Sequence, residues 1–178
     1  MKLFPEGRSK GLSAASLAAA AVSGLMALKA SYDFSTLIGV FSTPALYLSM
    51  VGSKVPYGMP PLAVLLTRNI RLAFFFALVF WCSVCALAAG VWLRREWARR
   101  GAVWGLYLLS AAALLLLLYP WLAVPRPLYY AGIPIAPEFN AAVLSAAAFA
   151  RILALLAGGV CLWWALALDR SGLKSEFR

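Results

Sequence analysis

Apolar residues run in long blocks along this chain. Five stretches carry no formal charge: 11–28, 34–53, 72–93, 101–125 and 152–168. A helix that crosses ~30 Å of hydrocarbon needs about 20 such residues. The runs 72–93 and 101–125 meet that length, and the first contains no proline. The run 152–168 falls slightly short, and becomes sufficient if its helix begins near Ala141 and takes in Arg151. The first two runs compete for one crossing, because only Lys29 to Asp33 separates them. Run 11–28 is alanine-rich and follows a basic N-terminus, whereas 34–53 carries Pro44 and several hydroxyls. The pair Pro60-Pro61 suits the start of a helix that continues into the second span, since proline is tolerated in a first turn.

Composition fixes the solvent. The chain has 178 residues, 64% of them hydrophobic and 12% charged. A soluble domain has roughly half its residues apolar and about a quarter charged. This chain has too few polar groups to cover a water-facing surface, so lipid is the expected solvent. The net charge of +10 comes from 16 Lys and Arg against 6 Asp and Glu. In a soluble protein such a balance suggests nucleic acid. Here the basic residues punctuate the apolar runs, so the expected partner is the lipid bilayer, with anionic headgroups at the cytoplasmic face, and not nucleic acid.

Orientation follows from one cluster. Arg94, Arg95, Arg99 and Arg100 lie between two apolar runs, in what reads as a tight turn. Lys and Arg in short loops mark the cytoplasmic side. The tail, with Arg170, Lys174 and Arg178, and the N-terminus, with Lys2, Arg8 and Lys10, follow the same rule. Placing all three inside requires one crossing before residue 72. The expectation is an all-α, four-helix transmembrane bundle with N- and C-termini cytoplasmic, as a single domain. Its spans are approximately 11–30, 72–93, 101–123 and 145–168. Residues 31–69 form an outer loop in which 34–53 lies at the interface or re-enters. A cleaved signal peptide is the competing reading of the N-terminus, but Ala27-Leu-Lys-Ala30 offers no clean small-x-small cleavage site. Trp92, Trp97, Trp104, Trp163 and Trp164 fall near the expected inner surface, and Tyr119, Trp121, Tyr129 and Tyr130 near the outer one. Amphipathic rings favour both interfaces.

The stretch Ala89-Gly90-Val91-Trp92-Leu93, followed by Arg94-Arg95-Glu96-Trp97-Ala98-Arg99, resembles a pattern in small bacterial four-helix membrane proteins. There a Gly-containing helix end leads through a few polar residues into Trp-Ala-Arg. The tail Ser171 to Arg178, closing on Phe177, is similar to their basic stub after the last span. The resemblance implies four spans, ends inside, and a bacterial cytoplasmic (inner) membrane. It carries no catalytic residue.

Candidate chemistry is sparse. Cys82-Ser-Val-Cys85 is a C-x-x-C, which in an exposed setting would suggest thiol redox chemistry. It sits mid-span, where desolvation disfavours a thiolate, so two small packing residues are the simpler reading. Arg151 is the charged residue placed inside a span, and such a residue is a functional-site candidate. Snorkelling to the headgroups is the favoured reading, ahead of an internal structural pair or a substrate role. Glu138 is the nearest acidic partner, and the two are the candidate ligand or lipid contacts. Gly11, Ala15, Ala19 and Ser23, spaced by four, and Gly158-Gly159 are candidate close-packing positions. With no histidine and three dispersed cysteines, no metal, cofactor or catalytic residue is expected. The expected role is a non-enzymatic accessory or interaction component with a membrane-protein partner or a homo-oligomeric state. A small oligomeric transporter or channel comes second, and a thiol oxidoreductase using Cys82 and Cys85 last.

Overall fold

The computed structural model describes residues 9–41, 59–134, 136–170 and 176–177. Among the described residues there are five α-helices: α1 (Lys10–Phe41), α2 (Pro61–Arg68), α3 (Ile70–Trp92), α4 (Glu96–Leu118) and α5 (Pro137–Asp169). A single 3-10 turn, Pro120–Leu122, follows α4. A two-stranded antiparallel ribbon pairs β1 (Tyr129–Tyr130) with β2 (Ile133–Pro134). Among the described residues, α1, α3, α4 and α5 are long and apolar enough to cross a membrane. Most of their side chains face outward, Leu108, Phe76 and Leu156 among them. That outward apolar face is stable only in lipid, and the chain is an integral membrane protein with an all-α fold.

The helices pack as two pairs: α1 lies along α3, and α5 along α4. The α1 seam is built from small residues, with Ser13, Ser16 and Ser23 buried. Two of these hydroxyls are satisfied at short range: Ser23 Oγ donates to the Ala19 carbonyl at 2.6 Å, and Ser16 Oγ to the Ser13 carbonyl at 3.1 Å. A serine bonded to its own helix behaves as a small residue and permits close approach. Along α5 the buried positions are Val143, Ala147, Ala154, Ala165 and Leu168, one face at helical spacing. Gly158 continues that face, since a Cβ there would lie 3.0 Å from the Ala113 Cβ.

The two pairs join at the Leu93–Arg95 turn. Beside it α3 and α4 nearly touch: a Cβ on Gly90 would lie 2.4 Å from the Ala98 Cβ. Ser9, at the start of α1, and Glu176, past the end of α5, meet at this same end. Both ends of the described chain therefore lie beside the arginine turn, as an even number of crossings requires.

Several boundaries differ from the sequence expectation. The first helix does not stop at Ala30; α1 runs to Phe41 and carries Lys29 and Asp33 inside it. The reason is their spacing: Lys29 Nζ and Asp33 Oδ2 pair at i,i+4, which neutralises both charges on one helix face. The expected outer loop 31–69 is thus helical over 31–41 and again over 61–68. Of the segment expected to re-enter, 34–41 extends α1 and 42–53 lies outside the described residues. Pro61 does open a helix, as expected, but Asn69 interrupts it (φ −121°, ψ 41°) before α3 begins. Arg99 and Arg100 are not turn residues. They stand in the first turns of α4, which starts at Glu96, where an acidic side chain suits a helix N-terminus. That helix also ends at Leu118, short of residue 123, because Pro120 cannot continue it. The last helix begins at Pro137 rather than near Ala141 or 145.

Candidate functional site

Two features meet at the turn end: a polar clamp built on the arginines, and an apolar cleft between the helix pairs.

Arg94 has a left-handed backbone (φ 60°) and is 2% exposed. Its guanidinium reaches three separate segments. One nitrogen, Nη2, donates to the Ser9 carbonyl and to Ser13 Oγ, both at 3.1 Å. Another, Nη1, returns to the Val91 carbonyl at 3.3 Å. The third, Nε, lies 3.1 Å from Glu176 Oε2, and the guanidinium sits 5.6 Å from the centre of the Phe177 ring. Glu176 also accepts from the Ser9 backbone N–H at 3.3 Å. One side chain thereby ties the start of α1, the end of α3 and the C-terminal tail.

Arg99, 4% exposed, plays the matching part for α5. Nε and Nη2 donate to the Glu96 carboxylate at 2.9 and 2.8 Å, a bidentate pair. Nη1 donates to Asp169 Oδ1 at 3.1 Å and the Leu168 carbonyl at 3.4 Å. The planar fork suits two acceptors at once, which an ammonium cannot match. Arg100 is exposed and donates to Glu96 Oε1 at 2.9 Å. Arg95 is exposed. The four arginines read together from sequence thus divide into two buried clamps and two surface charges.

A cleft of about 680 Å³ opens between the α1/α3 pair and the α4/α5 pair. Leu12, Ser16 and Ala19 line it from α1, and Phe80, Val84 and Val91 from α3. Gly105, Leu106 and Leu109 of α4 and Trp164 and Leu168 of α5 complete it. Phe177 packs in one cluster with Leu12, Val91, Ala98 and Leu168. Three of these line the cleft, so Phe177 closes its turn end.

The other sequence candidates are placed apart. Arg151 and Glu138 occupy one helix, thirteen positions apart, which is ~20 Å along the axis. Both are exposed, and neither forms an ion pair among the described residues. Arg151 lies eighteen positions before Asp169, ~27 Å along α5. On α3, Arg71 lies twenty-one positions before Trp92, ~32 Å. Both distances, counted from the turn end, approach the ~30 Å hydrocarbon thickness. Cys85 packs against α1, its Sγ 3.6 Å from the Ala20 carbonyl. Cys82 is exposed on α3, and Cys82, Cys85 and Cys161 are all free thiols. Gly159 meets open space, unlike Gly158. Of the proposed α1 stripe, Ser23 is buried while Gly11 and Ala19 are exposed.

Sequence reasoning missed the acceptors of the clamp. A signal was present: of the six acidic residues, Glu96, Asp169 and Glu176 flank the arginine turn or follow the last span. It also missed Asn140, which is buried. Its side-chain amide accepts from Leu128 N–H at 2.7 Å and donates to the Leu128 carbonyl at 3.0 Å. This pairing holds the connection that carries the ribbon. No family model, curated protein or solved structure matches this chain.

The position of Arg151 gives a measurable expectation. Near the boundary its long stem can lift the charge to the headgroups. Arg151→Lys and Arg151→Leu should both leave the detergent melting temperature within about 2 °C of wild type, since a charge held at the interface adds little to packing. A large loss in both variants would make Arg151 a paired or ligand-binding residue.

Proposed function

We propose that this chain is a non-enzymatic, multi-pass accessory component of a bacterial cytoplasmic membrane, with its turn end and both termini in the cytoplasm. The observation that carries the reading is the pairing of four apolar helices two by two. That arrangement leaves long outward faces and a lateral cleft for association within the bilayer. Orientation is supported by the basic residues gathered at one end: Lys10, Arg94, Arg95, Arg99, Arg100 and Arg170. Their distribution obeys the inside preference for short basic segments. Anionic headgroups at that face and a membrane-protein partner, or further copies of the chain, are the expected contacts.

Reporter fusions test the orientation. A fusion at the C-terminus and an insertion after Arg95 should both report cytoplasm, and an insertion near Pro127 the opposite side. Disagreement between the first two would overturn the four-span reading. A small oligomeric transporter or channel is the second reading, favoured by Lys29 and Asp33. Their ion pair stands on a spanning helix with the lysine side chain 66% exposed, and ionisable groups on such helices often line a shared path.

A further inference from the structure

We propose that the cleft between the helix pairs is a lipid site. It takes one acyl chain of an acidic glycerophospholipid from the leaflet at the turn end, with the phosphate held by Arg95 and Arg170. The inference rests on the membrane reading above and is independent of which way the chain faces.

The cleft has the chemistry of a chain-binding groove. Its walls are almost entirely apolar, from Leu12 and Val91 at the turn end to Phe80 and Leu109 farther in. From Val91 to Phe80 it spans eleven positions of α3, ~16 Å, about the depth of one leaflet. Phe177 and the Arg94 clamp close it at the turn, so a ligand enters from the side, out of the bilayer. An empty apolar groove of this size would forfeit contacts along both walls, and a flexible hydrocarbon chain restores them.

Charge selects the headgroup. Arg95 follows Val91 by four positions and Arg170 follows Leu168 by two, so both stand at the turn end of the helices whose residues Val91 and Leu168 line the cleft. Both are exposed, and neither forms an ion pair among the described residues. The buried arginines at the same end, Arg94 in the turn and Arg99 in α4, are already matched by Glu176 and by Glu96 and Asp169. Two uncommitted guanidinium groups above an apolar groove complement a phosphodiester above an acyl chain.

The test uses the full chain, purified in mild detergent, delipidated, and titrated with phosphatidylglycerol or phosphatidylcholine of identical acyl chains. Bound lipid is read by native mass spectrometry. One phosphatidylglycerol per chain is expected, in clear preference to phosphatidylcholine. Gly105 lines the cleft, and a Cβ there meets nothing within 4 Å. Gly105→Leu should therefore fill the groove without disturbing the helices and weaken binding by about tenfold or more. Gly159→Leu, equally unhindered but outside the cleft, should retain it. Neutralising Arg95 or Arg170 with glutamine should reduce the preference for the acidic lipid by about fivefold each. Equal retention of the two lipids by wild type, or full retention by Gly105→Leu, would overturn the proposal. Loss of a dimer rather than of lipid in Gly105→Leu would overturn it in favour of a second copy seated there. A chain stripped from membranes by alkaline carbonate would refute the membrane reading itself, which separates the two failures.

Discussion

Arg94→Ala is expected to lower the melting temperature in mild detergent by roughly 6–12 °C, the equivalent of ~3 kcal/mol for a chain of this size. The side chain is buried, hydrogen-bonded to Val91 of its own turn and to Ser9 and Ser13 of α1, and ion-paired with Glu176 of the tail. Truncation leaves a part-buried carboxylate at Glu176 without its counter-charge and the buried Ser13 hydroxyl without its Arg94 donor, and stranding a charge is the expensive outcome. Backbone conformation supplies an internal control. Position 94 has φ 60°, which costs a residue with a Cβ about 1 kcal/mol relative to glycine. Arg94→Gly should lose the same contacts but relieve that cost, and so fall less than alanine. Arg94→Lys should fall between wild type and alanine, because one ammonium cannot reach acceptors on three segments. A melting temperature for Arg94→Ala within about 2 °C of wild type would mean that the clamp does not hold the termini, since contacts worth ~3 kcal/mol could not be lost so cheaply.

How much of this was legible in the sequence depends on the range of the interaction responsible. The hydrocarbon spans were legible because burial in lipid acts residue by residue. The uncharged run 72–93 marks α3 within two residues, and 101–118 is the apolar part of α4. Charges inside helices were harder. Lys29 and Asp33 look like a break between two runs when each charge is counted alone, and become a helical pair only when the i,i+4 spacing is used. The same holds for Glu96 with Arg99 and Arg100, whose i+3 and i+4 spacing draws the arginines out of the turn and into α4. The clamp itself is long-range. Nothing near Arg94 in sequence indicates Glu176, 82 positions away, and the count of basic residues that gives topology cannot separate a buried guanidinium from one at the surface. The cleft was illegible for a related reason. It is a product of how two helix pairs diverge, and the apolar residues that line it have the same composition as those facing lipid.

Close approach at the turn is the second large effect expected, and glycine substitutions grade it. Gly90→Ala places a Cβ 2.4 Å from the Ala98 Cβ, and neither atom can rotate away, because each is fixed to a helix backbone. The helices must separate at the point where a short turn joins them. Overpacking of this kind costs ~3 kcal/mol, against ~1 kcal/mol gained from the better helix former. The net loss of ~2 kcal/mol should lower the melting temperature by about 4–8 °C. At Gly101 the nearest atom is 2.7 Å away but is the Leu87 Cδ2, the free end of a side chain that can turn, so Gly101→Ala should cost less despite a similar distance. At Gly105 nothing lies within 4 Å, and Gly105→Ala should be neutral or slightly stabilising. The decisive measurement is a swap. Ala98→Gly vacates the space that Gly90→Ala fills, so the double variant Gly90→Ala/Ala98→Gly should recover most of the loss seen in Gly90→Ala alone. The recovery should appear as a coupling of about 2–3 kcal/mol, as expected for residues in direct contact. Additive losses in the double variant would show that α3 and α4 do not meet at these two positions, and would remove the contact on which the geometry of the arginine turn depends.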